Sequence, residues 1–187
     1  MTDADYRFSS DTAEMDRALV HAWLSTEAYW ALGRTRAVQD AAMDASVNFG
    51  MFDALTGRQV AYARLVTDSV TFAWLCDVFV DPAERGNGVG VVLIENVAAV
   101  LDGLNLRRVA LATSTAHGLY AKFGFDTVAA PDHWMERRCA SRFRAAKSPG
   151  AAHALGERER APGPMFGVGE LRVLRYALRP AKRVFRL

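Results

Sequence analysis

The most informative residues of the chain are 78–90, which read Val78-Phe79-Val80-Asp81-Pro82-Ala83-Glu84-Arg85-Gly86-Asn87-Gly88-Val89-Gly90. A β-branched and aromatic strand leads into a turn, then into a loop with glycine at every second position, and an apolar helical run follows at once. Alternating glycines let the backbone curl and approach a ligand closely. Such a loop at the start of a helix directs N–H groups and the positive helix end at an anion, and Arg85 adds a charged donor. The sequence therefore predicts a ligand that carries phosphate.

Two better-known phosphate loops make demands that residues 85–90 do not meet. A Walker-type loop ends in Gly-Lys-Ser/Thr, whereas Gly90 is followed here by two valines. A dinucleotide-binding loop reads G-x-G-x-x-G directly after a strand, whereas this loop reads G-x-G-x-G after an intervening turn. An ordinary tight turn is the other alternative, but a turn needs neither three alternating glycines nor an arginine.

A second block follows downstream and reads Ala116-His117-Gly118-Leu119-Tyr120-Ala121-Lys122-Phe123-Gly124-Phe125. Residues 85–90 fit the pattern R/Q-x-x-G-x-G/A, and the second block fits A-x-x-L-Y-x-K-x-G-F. In this order and at this distance, the two blocks resemble the GNAT superfamily of acyl-CoA-dependent N-acyltransferases over roughly residues 47–137. The region before them is compatible with that family, and the region after them is unmatched.

The resemblance implies an α/β fold, with a mixed, mostly antiparallel central sheet and helices on both faces. It implies acetyl-CoA as the acyl-donor substrate, with no metal. The backbone of Val78, Phe79 and Val80 would bind the pantetheine arm, and one amide there would polarise the thioester carbonyl. The pyrophosphate would bind the loop Arg85, Gly86, Asn87, Gly88, Val89 and Gly90. Thr113 stands where many members carry an asparagine that contacts the same arm, and a hydroxyl can make only one such bond.

Two proton transfers accompany attack of an amine on a thioester. The family commonly protonates the departing thiolate from the tyrosine of the second block, so the resemblance assigns this role to Tyr120. The amine must lose a proton, and Asp77 is the first candidate to accept it because apolar neighbours on its strand could raise its pKa. Asp68 and Glu27 are reserves. Asp77 could equally be satisfied by backbone donors or an arginine, and His117 could act as a base, contact a phosphate or lie idle on the surface.

Local patterns place the elements in order. A strand is expected at residues 6–8, helices at 12–24 and 36–45, and a hairpin of strands 47–54 and 59–66 with Gly57 in its turn. A strand at 71–80 precedes a helix at 88–101, a strand at 108–112 and a helix at 116–123. Strands are also expected at 125–128 and near 134–136. Hairpins followed by two strand–helix units predict a mixed sheet with helices on both faces.

Composition limits the class of protein. The 187 residues are 51% hydrophobic and 24% charged, enough for one α/β domain with an appendage. No apolar run approaches a membrane span, and the first residues are acidic, so a cytoplasmic location is expected. Cys76 and Cys139 form neither a metal-binding spacing nor a disulfide framework, and Cys76 is expected to be buried as a small hydrophobe.

Charge divides the chain at residue 140. Residues 141–187 hold 11 Lys and Arg against 3 Asp and Glu, whereas residues 1–140 hold 12 against 18. We therefore expect a GNAT-like domain at 1–140 and a basic, linker-like extension at 141–187, with a possible amphipathic helix. The extension could contact nucleic acid or an anionic membrane, dock on the acidic body, or simply be a solvated extension.

Three functions remain open at this point. The first is a catalytic N-acetyltransferase that uses acetyl-CoA and a small-molecule amine, where Tyr29, Trp30, Phe72 and Trp74 could suit a cationic acceptor or simply be core. The second is acetylation of a protein or an aminoacyl-tRNA, with the basic extension supplying contacts. The third is an acyl-CoA-binding module without turnover. A homodimer is possible, and the sequence does not identify the acceptor.

Overall fold

A computed structural model of the protein describes residues 5–137. The expected domain boundary at 140, the basic extension and Cys139 lie outside these residues. Within them, none of the helices combines the length and the apolar character required to cross a bilayer.

The described residues form a single sheet with helices on both faces. The strands are β1 (Tyr6–Ser9), β2 (Val47–Asp53), β3 (Gln59–Thr67), β4 (Phe72–Val80) and β5 (Arg108–Ala110), and the α-helices are α1 (Arg17–Thr26), α2 (Arg36–Asp44), α3 (Val89–Leu104) and α4 (His117–Ala121). The strands lie in the order β1-β2-β3-β4-β5. Neighbours from β1 to β4 are antiparallel, and β5 is parallel to β4. The expected mixed, mostly antiparallel sheet is confirmed.

Two apolar cores lie on the two faces of this sheet. The core on the face that carries α3 and α4, here the α3-side core, contains buried residues of β2, β3 and β4 together with Val89, Leu93, Ile94, Val97, Leu101 and Tyr120. The core on the face that carries α1 and α2, here the α1-side core, contains Val20, Trp23, Leu24, Met43, Tyr62 and Phe79, among others. Burial of these apolar surfaces is the main force that attaches the helices to the sheet.

A β-bulge interrupts the pairing of β3 with β4. Along β3 the register advances two residues from Tyr62 to Arg64, while along β4 it passes three, from Phe79 back to Cys76. One residue of β4 is therefore extra. Asp77, inside this bulge, has φ +54°, in the left-handed region that residues other than glycine rarely adopt.

The bulge reverses the alternation of side chains along β4. Before it, Ala73 and Leu75 belong to the α3-side core. After it, Val78 and Val80 pack against that same core, and Phe79 belongs to the α1-side core. The first and second halves of β4 therefore place odd-numbered side chains on opposite faces of the sheet.

Three expected elements differ from the structure. The helix expected at 12–24 is two elements, a 3-10 turn at Thr12–Glu14 and then α1, because the Asp16 side chain caps α1 by accepting from the amides of Ala18 and Leu19.

The strands expected at 125–128 and 134–136 are wrong, since neither stretch joins the sheet. Asp126 accepts from the amide of Thr127, a local bond that competes with pairing to a strand. The hairpin is confirmed, with Gly57 at φ +70° in its turn.

Candidate functional site

A cleft opens where β4 and β5 part. Parallel pairing runs from Phe72 and Arg108 to Trp74 and Ala110, and no further pairing joins the two strands within residues 5–137. The second half of β4, which contains the expected pantetheine-binding residues 78–80, therefore has a strand partner on the β3 side only. An extended ligand can hydrogen-bond to such an open strand edge as an added strand would.

The glycine loop lies at the end of this open edge. Gly86 has φ +84° and Gly88 has φ +79°, and a Cβ built at either would meet nothing within 4 Å. Gly88 immediately precedes α3 and has no side chain that could cap the first amides of this helix. Among the described residues, the amides of Gly86, Gly88, Val89 and Gly90 have no acceptor. Uncapped N–H groups at a helix start, next to open space, make a site for an anion.

Arg85 connects the loop to the strand. Its Nε donates to the carbonyl of Val80 at 3.1 Å, and its guanidinium carbon lies 5.1 Å from the centre of the Phe79 ring. The residue is exposed, and its terminal nitrogens have no acceptor among the described residues. They remain available to an anion at the loop. Asn87 is exposed, with its side-chain amide 3.5 Å from Glu84.

A group of polar contacts fixes the turn before the loop. Arg58 contacts Asp81 at 2.5 Å and Glu84 at 2.7 Å, and Tyr6 donates to the second oxygen of Glu84 at 3.1 Å. Asp81 also accepts from the amide of Ala83, which closes the 3-10 turn Pro82–Glu84. The sequence did not indicate that Arg58 and Tyr6 support this turn, because Tyr6 belongs to β1 and Arg58 lies in the turn between β2 and β3.

Tyr120 is a buried residue of α4 with an available hydroxyl. Its ring packs edge-to-face against Phe125, with ring centres 5.9 Å apart, and its hydroxyl has no hydrogen-bond partner among the described residues. Burial raises the pKa of Tyr120 to about 12, and the nearby Tyr29 adds to the rise. The hydroxyl is therefore protonated throughout the neutral range and can act as a proton donor.

Thr113 precedes α4 and has a local role. Its Oγ1 accepts from the amides of Ala116 at 3.1 Å and Thr115 at 3.4 Å. Its hydroxyl proton is still available for one donated bond, so the expected contact with a pantetheine arm stays a prediction. His117 is an exposed first residue of α4.

Asp77 lies in the bulge, with a side chain that is 2% exposed and surrounded by donors. Arg34 binds it in bidentate fashion, at 2.8 and 3.1 Å. Arg64 donates at 2.9 Å and the indole N–H of Trp30 donates at 3.2 Å. Burial alone raises the pKa of Asp77, but hydrogen bonds from Arg34 and the charge of Arg64 lower it by more, so its pKa lies below the usual range.

This arrangement bears on both interpretations of Asp77 that the sequence left open. A carboxylate with a lowered pKa and four donors has little tendency to accept a proton from an amine. The geometry favours the second interpretation, a carboxylate satisfied by arginine, over the general base. The sequence did not reveal Arg34 and Arg64 as its partners, since they lie 43 and 13 residues away.

Comparison with known proteins identifies the family. The model of the acetyltransferase (GNAT) family matches residues 15–125. The chain belongs to the GNAT family. It is 31% identical to an acetyltransferase of Gibberella zeae over 141 residues, which are 65% of this chain and 78% of that protein. It is also 39% identical to serotonin N-acetyltransferase 2 of Oryza sativa subsp. japonica, over 70 residues that are 37% of this chain and 35% of that one.

The solved structures agree with this assignment. A crystal structure of a GNAT-family acetyltransferase from Xanthomonas campestris pv. campestris is similar to this chain with a TM-score of 0.67 and 44% identity. The match covers 72% of this chain and 93% of that one. The resemblance noted in the sequence is thereby confirmed, and GNAT acetyltransferases use acetyl-CoA as a co-substrate and act on amine acceptors.

In this GNAT domain, the connection between α1 and α2 crosses the cleft. Tyr29 and Trp30, here called the aromatic bridge, pack at a right angle with ring centres 4.9 Å apart. The Tyr29 hydroxyl lies 2.9 Å from that of Ser114, which follows β5, and Trp30 donates to Asp77 on β4. The bridge is thus attached to both sides of the cleft.

The other aromatic and acidic candidates lie elsewhere. Phe72 and Trp74 belong to the paired beginning of β4, before the cleft opens. Asp68 caps the turn between β3 and β4 by accepting from the amides of residues 70–72 and from the Thr71 hydroxyl, which lowers its pKa. Glu27 is the exposed residue that follows α1, three positions before Trp30, and its carboxylate has no partner among the described residues.

A cavity of about 1030 Å³ borders β5. It separates residues 108–113 from residues 125–134, and Thr113, His117 and Tyr120 are part of its lining. Within residues 5–137, no group of His, Cys, Asp and Glu side chains is arranged to hold a metal ion.

Proposed function

We propose that the protein is an N-acetyltransferase that transfers the acetyl group of acetyl-CoA directly to a primary amine of a small molecule. The observation that carries this proposal is the row of unpartnered amides at Gly86, Gly88, Val89 and Gly90, in line with the open edge of β4. A diphosphate accepts hydrogen bonds from such amides, and a pantetheine arm is long enough to continue along the strand. The terminal nitrogens of Arg85 would add charge-assisted bonds to the same phosphates.

The residues of the cleft suit the chemistry of this transfer. The amine nitrogen attacks the thioester carbonyl, a C–N bond forms, and the C–S bond breaks. Tyr120 donates its hydroxyl proton to the departing thiolate and regains one from solvent, and the nitrogen loses a proton to water or to an exposed carboxylate such as Glu27. Negative charge on the carbonyl oxygen during attack would be stabilised by an unpaired amide of β4 next to the bulge.

Two facts support a small acceptor. The rice relative is a serotonin N-acetyltransferase, so a protein similar over 70 residues acts on a small amine. The aromatic bridge joins Ser114 to Asp77 across the cleft, and a cleft covered in this way suits a small acceptor.

The test combines binding and turnover. Calorimetry with coenzyme A measures binding, and release of free thiol from acetyl-CoA with a panel of amines measures transfer. We expect CoA to bind, at least one small primary amine to be acetylated, and Tyr120→Phe to keep CoA affinity while kcat falls by about 10²-fold, the usual scale of acid catalysis. Glu95→Ala, an exposed change on α3 outside both sequence blocks, serves as the control.

Each alternative function has its own outcome. Binding of CoA without thiol release by any amine, and no effect of Tyr120→Phe, would indicate a binding module. Turnover on a protein or an aminoacyl-tRNA that is lost when residues 141–187 are deleted would indicate a macromolecular acceptor. Failure to bind CoA at all would refute the proposal.

A further inference from the structure

The aromatic bridge is held more firmly than its exposure suggests. Tyr29 is 62% exposed and Trp30 is 45% exposed, although both are large rings. Exposed aromatic side chains are usually free to change rotamer, but here each ring has a polar attachment to a different side of the cleft. The rings therefore present their faces to solvent from a fixed position.

The attachment of Trp30 is the stronger of the two because its acceptor is itself fixed. Arg34 and Arg64 both bind Asp77, which lies in the left-handed bulge. Arg34 belongs to the same connection between α1 and α2 as Trp30. The segment from residue 30 to residue 34 is thus attached to one buried carboxylate at both of its ends. Arg34 is further fixed by Gln39 of α2, whose Oε1 accepts from it at 2.8 Å.

The position of these rings relative to the cleft gives them a function. The acyl end of a ligand that follows β4 from the glycine loop would arrive near Asp77, where Trp30 is attached. An amine that attacks there brings its substituent alongside the bridge. Aromatic rings favour edge-to-face or offset contact with another ring, beyond the apolar area that the contact buries.

We propose that Trp30 is a specificity-determining residue whose ring contacts an aromatic group on the acceptor, and that Asp77 and Arg34 are positioning residues that fix this ring beside the cleft. The inference rests on the proposed acetyltransferase function and names its acceptor class, a primary amine carried on a short arm from an aromatic ring. Asp77 thereby acts through Trp30 and not on the reacting atoms.

The experiment compares two amines that differ in the ring. Initial rates of thiol release are measured with 2-phenylethylamine and with n-butylamine, on the wild type and on Trp30→Ala. We expect kcat/KM for 2-phenylethylamine to fall about tenfold in Trp30→Ala, equivalent to about 1.4 kcal/mol. We expect kcat/KM for n-butylamine and the dissociation constant of CoA to stay within about twofold.

Two further variants separate contact from attachment. Trp30→Phe keeps an aromatic ring but removes the N–H donated to Asp77, so KM for 2-phenylethylamine should rise about threefold with kcat nearly unchanged. Leu32→Ala removes another exposed large side chain from the same connection and is the matched control, with both amines expected within twofold of wild type.

The outcomes are distinguishable from those of the proposed function. Equal losses for both amines in Trp30→Ala, or no loss for either, would overturn the specificity role while leaving the acetyltransferase function intact. A wild type that binds CoA but acetylates neither these amines nor any other would overturn both. A Leu32→Ala variant as impaired as Trp30→Ala would attribute the effect to loosening of the connection and would also refute the role of the ring.

Discussion

Replacing Gly88 by alanine tests the anion site most directly. Gly88 has φ +79°, and an alanine held there costs about 1–2 kcal/mol of stability. For a chain of this size, that cost corresponds to a fall in melting temperature of about 2–8 °C. A Cβ at this position would project into space that is empty of protein atoms within 4 Å, which is the space we assign to the phosphates.

The effect on CoA binding can be separated from the effect on stability. The added methyl group would push the phosphate away from at least one of the loop amides. Loss of one such charge-assisted hydrogen bond costs about 1.5–3 kcal/mol, so the dissociation constant of CoA should rise about 10- to 150-fold. Calorimetry of CoA binding and thermal unfolding of the free protein measure the two effects independently.

Gly57 provides the matched control. It has φ +70° in the turn between β2 and β3, and a Cβ there would also meet nothing within 4 Å. Gly57→Ala should therefore lower the melting temperature by a similar amount and leave CoA affinity unchanged. Equal CoA affinities for the two alanine variants would refute the assignment of the loop as a phosphate site.

Three other predictions concern the support of the site and the core. Arg58→Ala should raise the dissociation constant of CoA roughly threefold with less than about 1 kcal/mol lost in urea unfolding, whereas Arg36→Ala, which also removes an exposed ion pair, should leave binding unchanged. Tyr62→Phe should destabilise the protein by about 1–3 kcal/mol in urea unfolding, because Asn48 then keeps a buried oxygen without a donor; no loss would contradict the hydrogen bond. The pKa of Asp77 is lowered in the folded state, so its contribution to stability is complete above about pH 4 and is lost as the pH falls further. The difference in melting temperature between wild type and Asp77→Asn should accordingly be constant from pH 6 to 8 and shrink below pH 4, and a constant difference down to pH 3 would contradict it.

The sequence indicated the fold well where its signal was local. The glycine loop, the apolar helix after it and the hairpin turn at Gly57 each depend on residues that are adjacent in the chain. The expected strands at 125–128 and 134–136 failed because a short apolar run forms a strand only if it has a partner to pair with. That pairing is not encoded in the run itself.

The site was harder to predict than the fold for the same reason. The free amides of the loop follow from its glycines, but the environment of Asp77 depends on Arg34 and Arg64, which come from a connection and from another strand. The bulge was also hidden, since residues 73, 75, 77 and 79 are all buried and read as one uninterrupted alternation. A pattern of period two cannot show that its second half faces the opposite core.

The supernumerary residue of β4 is dispensable for the packing of the two cores. Removing one residue from 76–78 would restore a regular ladder with β3 in which Phe79 still pairs with Tyr62 and Leu75 still pairs with Leu65. Phe79 and Val80 would therefore keep their present faces of the sheet. Such a deletion would remove the left-handed backbone at Asp77, so a shortened chain should still fold but lose the carboxylate position that Arg34, Arg64 and Trp30 share.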